Sequence, residues 1–179
     1  MYLPELAIGA PAPEFKAEVY HNGSIGQHVS LSDYRGKWTL LFFYPLDFTF
    51  VCPTELYELA DHREDFEKLN CQILGVSVDS VHSHMNWAKA DEKIAKLGFP
   101  LVSDLTKDIS LKYNVLHPEG MSLRGVFFID PDGVLQSYTV NNLNVGRNAK
   151  ELLRTLKALQ TGELCPASWD HGKDTLGKA

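Results

Sequence analysis

Trp38-Thr39-Leu40-Leu41-Phe42-Phe43-Tyr44-Pro45-Leu46-Asp47-Phe48-Thr49-Phe50-Val51-Cys52-Pro53-Thr54-Glu55 changes its period part-way along. Trp38 to Tyr44, apolar but for Thr39, reads as a short buried strand. From Pro53 onward, Leu56, Leu59, Ala60 and Phe66 share one arc at helical spacing, which predicts a helix over 53–69. Cys52 therefore stands where a strand hands over to a helix. Unpaired N–H groups and the positive end of the dipole favour negative charge there, and Pro53 suits a first helical position because it has no N–H to satisfy. A thiol in that place ionises more readily than a free one. The competing reading is packing, since free cysteine is among the most buried residue types. The helix start and the nearby hydroxyls favour a reactive thiol.

Outward from this stretch the chain alternates strands and helices. Residues 15–20 and 27–31 read as an amino-terminal hairpin around Asn22-Gly23, before the Trp38 strand. A strand follows over 72–78, then a helix over 80–95, a short strand at 101–103 and a brief helix at 109–113. Residues 125–129 and 134–140 form a second hairpin across Asp130-Pro131-Asp132-Gly133, where glycine is available for positive φ. A last helix over 148–159 has Asn148 and Glu151 at capping-box spacing, with Ala149, Leu152, Leu153, Leu156 and Leu159 on one side. This order predicts an α/β chain, a thioredoxin-like fold with an added N-terminal β-hairpin. After Thr161 no apolar period is sustained, and Pro166, Gly172 and Gly177 predict an extended C-terminal arm carrying Cys165. The expected division is a thioredoxin-like domain over 1–160 and the arm over 161–179.

At 179 residues the chain suits one domain, long enough to bury about 70% of the surface its unfolded form exposes. Seventeen Lys plus Arg against 23 Asp plus Glu give a formal charge of −6, which offers polyanions no general attraction and argues against nucleic acid as a partner. The start, Met1 to Leu6, has neither a basic segment nor a long apolar one, and no run nears a membrane span. A cytoplasmic protein with no membrane partner is expected. Three widely spaced cysteines without a Cys-x-x-Cys make neither a disulfide framework nor a zinc ribbon. His82 and His84, two apart, face different ways on a helix, so no metal site and no cofactor are expected.

The segment from Tyr44 to Glu55 resembles the active-site motif of the typical two-cysteine peroxiredoxins, including the alkyl hydroperoxide reductase type. The same family pattern recurs, in order, at Gly75-Val76-Ser77-Val78-Asp79-Ser80, at Arg124-Gly125-Val126-Phe127-Phe128-Ile129-Asp130, at Val145-Gly146-Arg147 and at Gly162-Glu163-Leu164-Cys165-Pro166-Ala167-Ser168-Trp169. With Pro11-Ala12-Pro13 the likeness covers nearly the whole chain. It implies the thioredoxin-like fold and a thiol-dependent peroxidase reducing hydrogen peroxide and organic hydroperoxides. Cys52 is then the peroxidatic thiol, which becomes a sulfenic acid, and Cys165 the resolving thiol, which closes an intersubunit Cys52–Cys165 disulfide. Cys71, at the head of a buried strand, reads as structural.

Ionisation alone does not make a peroxidase, because lowering a thiol's pKa also lowers its nucleophilicity. As a thiolate attacks the O–O bond, charge builds on the leaving oxygen, and fixed donors aimed there give the largest help. Thr49, three residues before Cys52, and Arg124, opening a strand, are the candidates. Taken singly, a threonine before a helix reads as a local cap and an arginine before a strand as a solvated gatekeeper. The resemblance implies an active-site set of Thr49, Arg124 and Pro45, with proline shielding the sulfur. It also implies Glu55 as a carboxylate orienting Arg124 and Arg147. Thioredoxin or a dedicated flavoprotein disulfide reductase is the implied reductant, and a homodimer gathering into a ring of five dimers the implied assembly. Phe48 and Phe50 either buttress such a contact or fill the core beneath the loop, and by family position Ser83 and Trp87 lie across the contact. A redox-switched holdase and a general thiol–disulfide oxidoreductase are the competing functions. The second is weakened by the missing Cys-x-x-Cys. Relatives sensitive to excess peroxide carry a Gly-Gly-Leu-Gly insertion where this chain reads Asp91 to Pro100, so resistance to overoxidation is expected.

Overall fold

A computed structural model of the chain describes residues 6–178. Met1 to Glu5, most of the segment read as lacking a leader pattern, lie outside the described residues. Strands β1 (Lys16–His21) and β2 (Ser24–Ser30) form the first hairpin. A single 3-10 turn over Leu31–Tyr34 leads to β3 (Trp38–Phe43), helices α1 (Val51–Asp61) and α2 (Arg63–Lys68), and β4 (Cys71–Ser77). Helices α3 (Val81–Ala90) and α4 (Glu92–Ala95) precede β5 (Leu101–Ser103) and α5 (Asp108–Lys112). The chain continues as β6 (Arg124–Ile129), β7 (Leu135–Asn141) and α6 (Ala149–Thr161).

The seven strands form one sheet in the order β2-β1-β5-β4-β3-β6-β7. β3, β4 and β5 run parallel, β6 and β7 return antiparallel beside β3, and the amino-terminal hairpin joins through β1 and β5. This is the expected thioredoxin-like sandwich with its added hairpin. Both faces of β3 are buried, which explains why its sequence, apolar but for Thr39, does not alternate. Leu40, Phe42 and Tyr44 pack against α1, α3 and α6, while Leu41 and Phe43 pack against α5 and the segment around Tyr113.

Two predicted helices are each divided. The run expected over 53–69 starts two residues earlier and breaks at His62, which ends α1 and precedes α2. The run expected over 80–95 breaks at Asp91, an extended residue (φ −135°, ψ 109°) whose carboxylate caps α4 by accepting from Lys93 N and Ile94 N. A side chain able to compete for backbone N–H groups outweighs helical periodicity there. β2 starts at Ser24, so the first hairpin turns tightly on Asn22-Gly23, both at positive φ. The capping box on α6 is half formed. Asn148 accepts from Glu151 N at 3.1 Å, but the Glu151 carboxylate turns outward to Arg154.

Beyond α6 the described residues of the arm, 162–178, contain no helix or strand. Leu164 donates its backbone N–H to the Gly177 carbonyl and accepts from the Leu176 N–H, each at 2.8 Å, and Trp169 is buried with its carbonyl held by Arg154. No helix among the described residues is long and apolar enough to cross a membrane.

Candidate active site

The pairing of β3 with β6 builds the site. Phe42 stands opposite Val126 on an antiparallel strand, so the start of β6 lies beside the loop that leaves β3. Arg124 at that start faces the first turn of α1. Cys52 is the second residue of α1 and is fully buried, with Sγ 3.4 Å from Arg124 Nη1. Pro53 takes the third helical position rather than the first, and still removes an N–H that has no partner within the helix. Phe50 precedes the helix without a capping side chain, so the turn bearing Cys52 is closed by no side-chain cap.

Glu55 lies three residues after Cys52 and so on the same helical face. Its carboxylate accepts from Arg124 Nη1 at 2.7 Å, from Arg147 Nε at 2.9 Å, from Arg147 Nη2 at 3.0 Å and from the Arg147 backbone N–H at 2.8 Å. Arg124 also donates through Nε to the Leu143 carbonyl at 2.7 Å, and Arg147 through Nη1 to the Gly125 carbonyl at 2.8 Å. The Arg147 guanidinium lies 3.5 Å over the Phe42 ring. Burial pulls the Arg147 pKa down, and the hydrogen bond and charge of Glu55 oppose that pull. All three side chains are at most 5% exposed. One carboxylate thus fixes two arginines, and one of these reaches the sulfur.

Pro45 is buried at the exit of β3. Thr49 is half-buried, and its hydroxyl donates to the Leu46 carbonyl at 3.0 Å. The structure therefore brings Arg124, Glu55 and Arg147 together with Cys52, and engages Thr49 locally. The loop holds Phe48 at φ 55°, a left-handed conformation uncommon for a bulky side chain. Phe48 and Phe50 are 57% and 93% exposed, which overturns the reading in which they fill the core. Trp87 is itself buried, beneath Phe48, at 5.9 Å between ring centroids.

Cys165 is half-buried in the arm, its Sγ 3.4 Å from Thr161 Oγ1 and 3.7 Å from the Ala158 carbonyl. It carries a free thiol, as do Cys52 and Cys71. Cys71 opens β4, and burial pushes its pKa well up.

Sequence reasoning missed the polar cluster beneath the loop. Asp47 accepts from Tyr44 Oη and from Ser83 Oγ, each at 2.8 Å, and stands 2.8 Å from His84 Nδ1. Its backbone N–H donates to Asp79 Oδ2 at 2.9 Å. Burial, then the charge of Asp47, raises the Tyr44 pKa, so that hydroxyl remains a donor. The same two causes raise Asp79. These residues tie the loop to α3 and lie too far apart in sequence for any spacing rule to join them. The one local signal was an acidic residue between apolar neighbours at Leu46 and Phe48.

The AhpC/TSA family model matches residues 8–138. Peroxiredoxin-2 of Rattus norvegicus is 50% identical over 177 residues, covering 94% of this chain and 89% of that protein. The mitochondrial thioredoxin-dependent peroxide reductase of Drosophila melanogaster is 49% identical over 176 residues, covering 94% and 75%. Among solved structures, the reduced 2-Cys peroxiredoxin of Plasmodium vivax superposes with a TM-score of 0.87 at 43% identity, covering 93% of this chain and 91% of that one. By family match, identity and fold together, the chain belongs to the AhpC/TSA family and is a 2-Cys peroxiredoxin, a thiol-dependent peroxidase.

Proposed function

We propose that Cys52 is the peroxidatic thiol and Cys165, from a second copy of the chain, the resolving one. The supporting observation is the buried sulfur of Cys52 at 3.4 Å from an arginine that Glu55 holds in place. The Cys52 thiolate attacks one peroxide oxygen, the S–O bond forms as the O–O bond breaks, and the leaving oxygen departs as water or an alcohol on taking up a proton. Arg124 steadies charge on sulfur and on the leaving oxygen, with Arg147 and Glu55 fixing its direction. Thr49 offers its hydroxyl oxygen to the peroxide, and Pro45 keeps water from the sulfur. The Cys165 thiol then displaces hydroxide from the sulfenic acid, giving a disulfide and water. A disulfide needs Cα atoms within about 7 Å, so the turn bearing the wholly buried Cys52 unwinds between the two steps.

A dithiol protein, thioredoxin or a flavoprotein disulfide reductase, returns both thiols. Hydrogen peroxide and organic hydroperoxides are the substrates, and no metal or cofactor takes part. The unit is a homodimer associating into five dimers, with exposed Phe48 and Phe50 at the contact. Residues 1–160 act as the catalytic domain and 161–179 as the arm that delivers Cys165, in the cytoplasm.

The test pairs two reactions of one thiol. Arg124→Ala and Thr49→Val slow peroxide reduction by about a hundredfold or more, yet slow alkylation of Cys52 by a neutral reagent far less, because alkylation builds no charge on a leaving oxygen. Equal losses in both would reduce these residues to tuning the thiol. Steady peroxide consumption with a dithiol reductant that survives Cys52→Ser would overturn the assignment altogether.

A further inference from the structure

Helix α1 is fastened at two points beyond Cys52. Glu55 is the first. The second is Tyr57, whose hydroxyl donates to Asp91 Oδ2 across the α3–α4 break. Asp91 is itself held, since Oδ1 accepts from Lys93 N at 2.9 Å and Ile94 N at 3.3 Å, and α4 is anchored by the buried Ile94. Lys93 Nζ lies 4.9 Å over the Tyr57 ring and covers its outer face. Burial, then the hydrogen bond and charge of Asp91, pushes the Tyr57 pKa to about 12, so the hydroxyl stays a donor at physiological pH. Burial acts to raise Asp91, but the Tyr57 hydroxyl, two amides and Lys93 outweigh it and keep the carboxylate ionised.

In an α-helix each N–H bonds to the carbonyl four residues back. Freeing Val51, Cys52 and Pro53 therefore releases the amides of Glu55, Leu56 and Tyr57. Tyr57 is the last residue whose backbone bond belongs to the turn that must open, and its side chain is fixed to a different helix. We propose that the Tyr57–Asp91 contact is the stop that sets how far and how readily α1 unwinds to release Cys52, making Tyr57 a positioning residue for the resolving step. The inference rests on the roles of Cys52 and Cys165 given above. While the stop holds, helix ends that would fray together are kept folded, and the sulfenic acid stays longer within reach of a second peroxide. The break at Asp91, which interrupts an otherwise helical pattern, thereby couples α3 and α4 to the timing of the active site.

Tyr57→Phe removes the hydroxyl and keeps the ring. A hydrogen peroxide pulse on the reduced full-length protein, followed by rapid quenching and mass spectrometry, reads loss of the Cys52 thiol, disulfide formation and sulfinic acid separately. Thiol loss is expected to stay within about twofold of the unaltered chain, while disulfide formation accelerates roughly three- to tenfold, the size of one charge-assisted hydrogen bond only partly lost in the unwound state. The peroxide concentration giving half-sulfinylation should rise by the same factor. Asp91→Asn, which still caps α4 through its amide oxygen, should show a smaller change, and the double variant should add little to Tyr57→Phe alone. An unchanged rate of disulfide formation in Tyr57→Phe, or equal acceleration of both steps, overturns the inference. If no sulfenic acid forms on Cys52 in the unaltered chain, the reading of the site falls, and this inference with it.

Discussion

Glu55 is the residue on which the site's charge balance turns. It is the one carboxylate hydrogen-bonded to either Arg124 or Arg147 among the described residues, and both guanidiniums are buried. Glu55→Gln leaves two buried cations without their anion, and loss of one partner from a buried pair costs about 3–5 kcal/mol. A lowered urea midpoint together with slower peroxide reduction would match this, and an unchanged midpoint would contradict it. Tyrosines set the alkaline limit. Tyr113 donates to the Pro13 carbonyl at 2.8 Å, and burial, then the charge of Glu14, raises its pKa. The unfolded chain loses this proton near pH 10 while the folded chain keeps it, so the associated stability is present below about pH 10 and falls as pH rises past it. Burial raises Tyr44, Tyr34 and Tyr57 in the same direction. Tyr113→Phe should give a shallower decline of Tm between about pH 10 and 11, despite a lower Tm at neutral pH.

At the scale of elements, the periodic segments were legible and their interruptions were not. The amphipathic pattern of α6 predicted its buried face, and Ala149, Leu152, Leu153 and Leu156 are buried as expected. Periodicity averages over several turns, whereas at Asp91 one capping side chain ends a helix locally, and at His62 the chain turns with no side-chain cap at all. Asn148→Ala removes the cap on Glu151 N and should cost about 1 kcal/mol by denaturant titration, with the fold otherwise retained. A loss below a few tenths would mean that water or a neighbouring group replaces the cap. The start of α1 has no such cap to lose, which suits the opening proposed for that turn.

On the scale of the whole molecule, the proposed intersubunit disulfide has a direct signature. Oxidised protein should migrate as a covalent dimer on a non-reducing gel, and either Cys52→Ser or Cys165→Ser should abolish that band while Cys71→Ser leaves it. A Cys52–Cys71 bond found by mass spectrometry would sink this pairing. If the exposed Phe48 and Phe50 support the contact between dimers, unwinding the adjacent turn on oxidation should weaken the assembly. Identical sedimentation of reduced and oxidised protein at low concentration would deny that coupling.

The sequence by itself determined the α/β class, the handover from strand to helix at Cys52 and the buried face of the last helix. Each is a local matter of period, turn chemistry or spacing. Its ordered motifs, through resemblance, also pointed to Arg124, Glu55 and Arg147 as companions of Cys52. The tertiary structure alone supplied the bonds by which Glu55 holds both arginines, because residues 69 and 92 positions apart are joined by strand register and not by any repeat along the chain. The same holds for the Asp47 cluster and for Tyr57 on Asp91. Whether an aromatic ring such as Phe50 faces core or solvent was likewise settled only in three dimensions, since hydrophobicity states a preference for burial but not which side of a loop is covered.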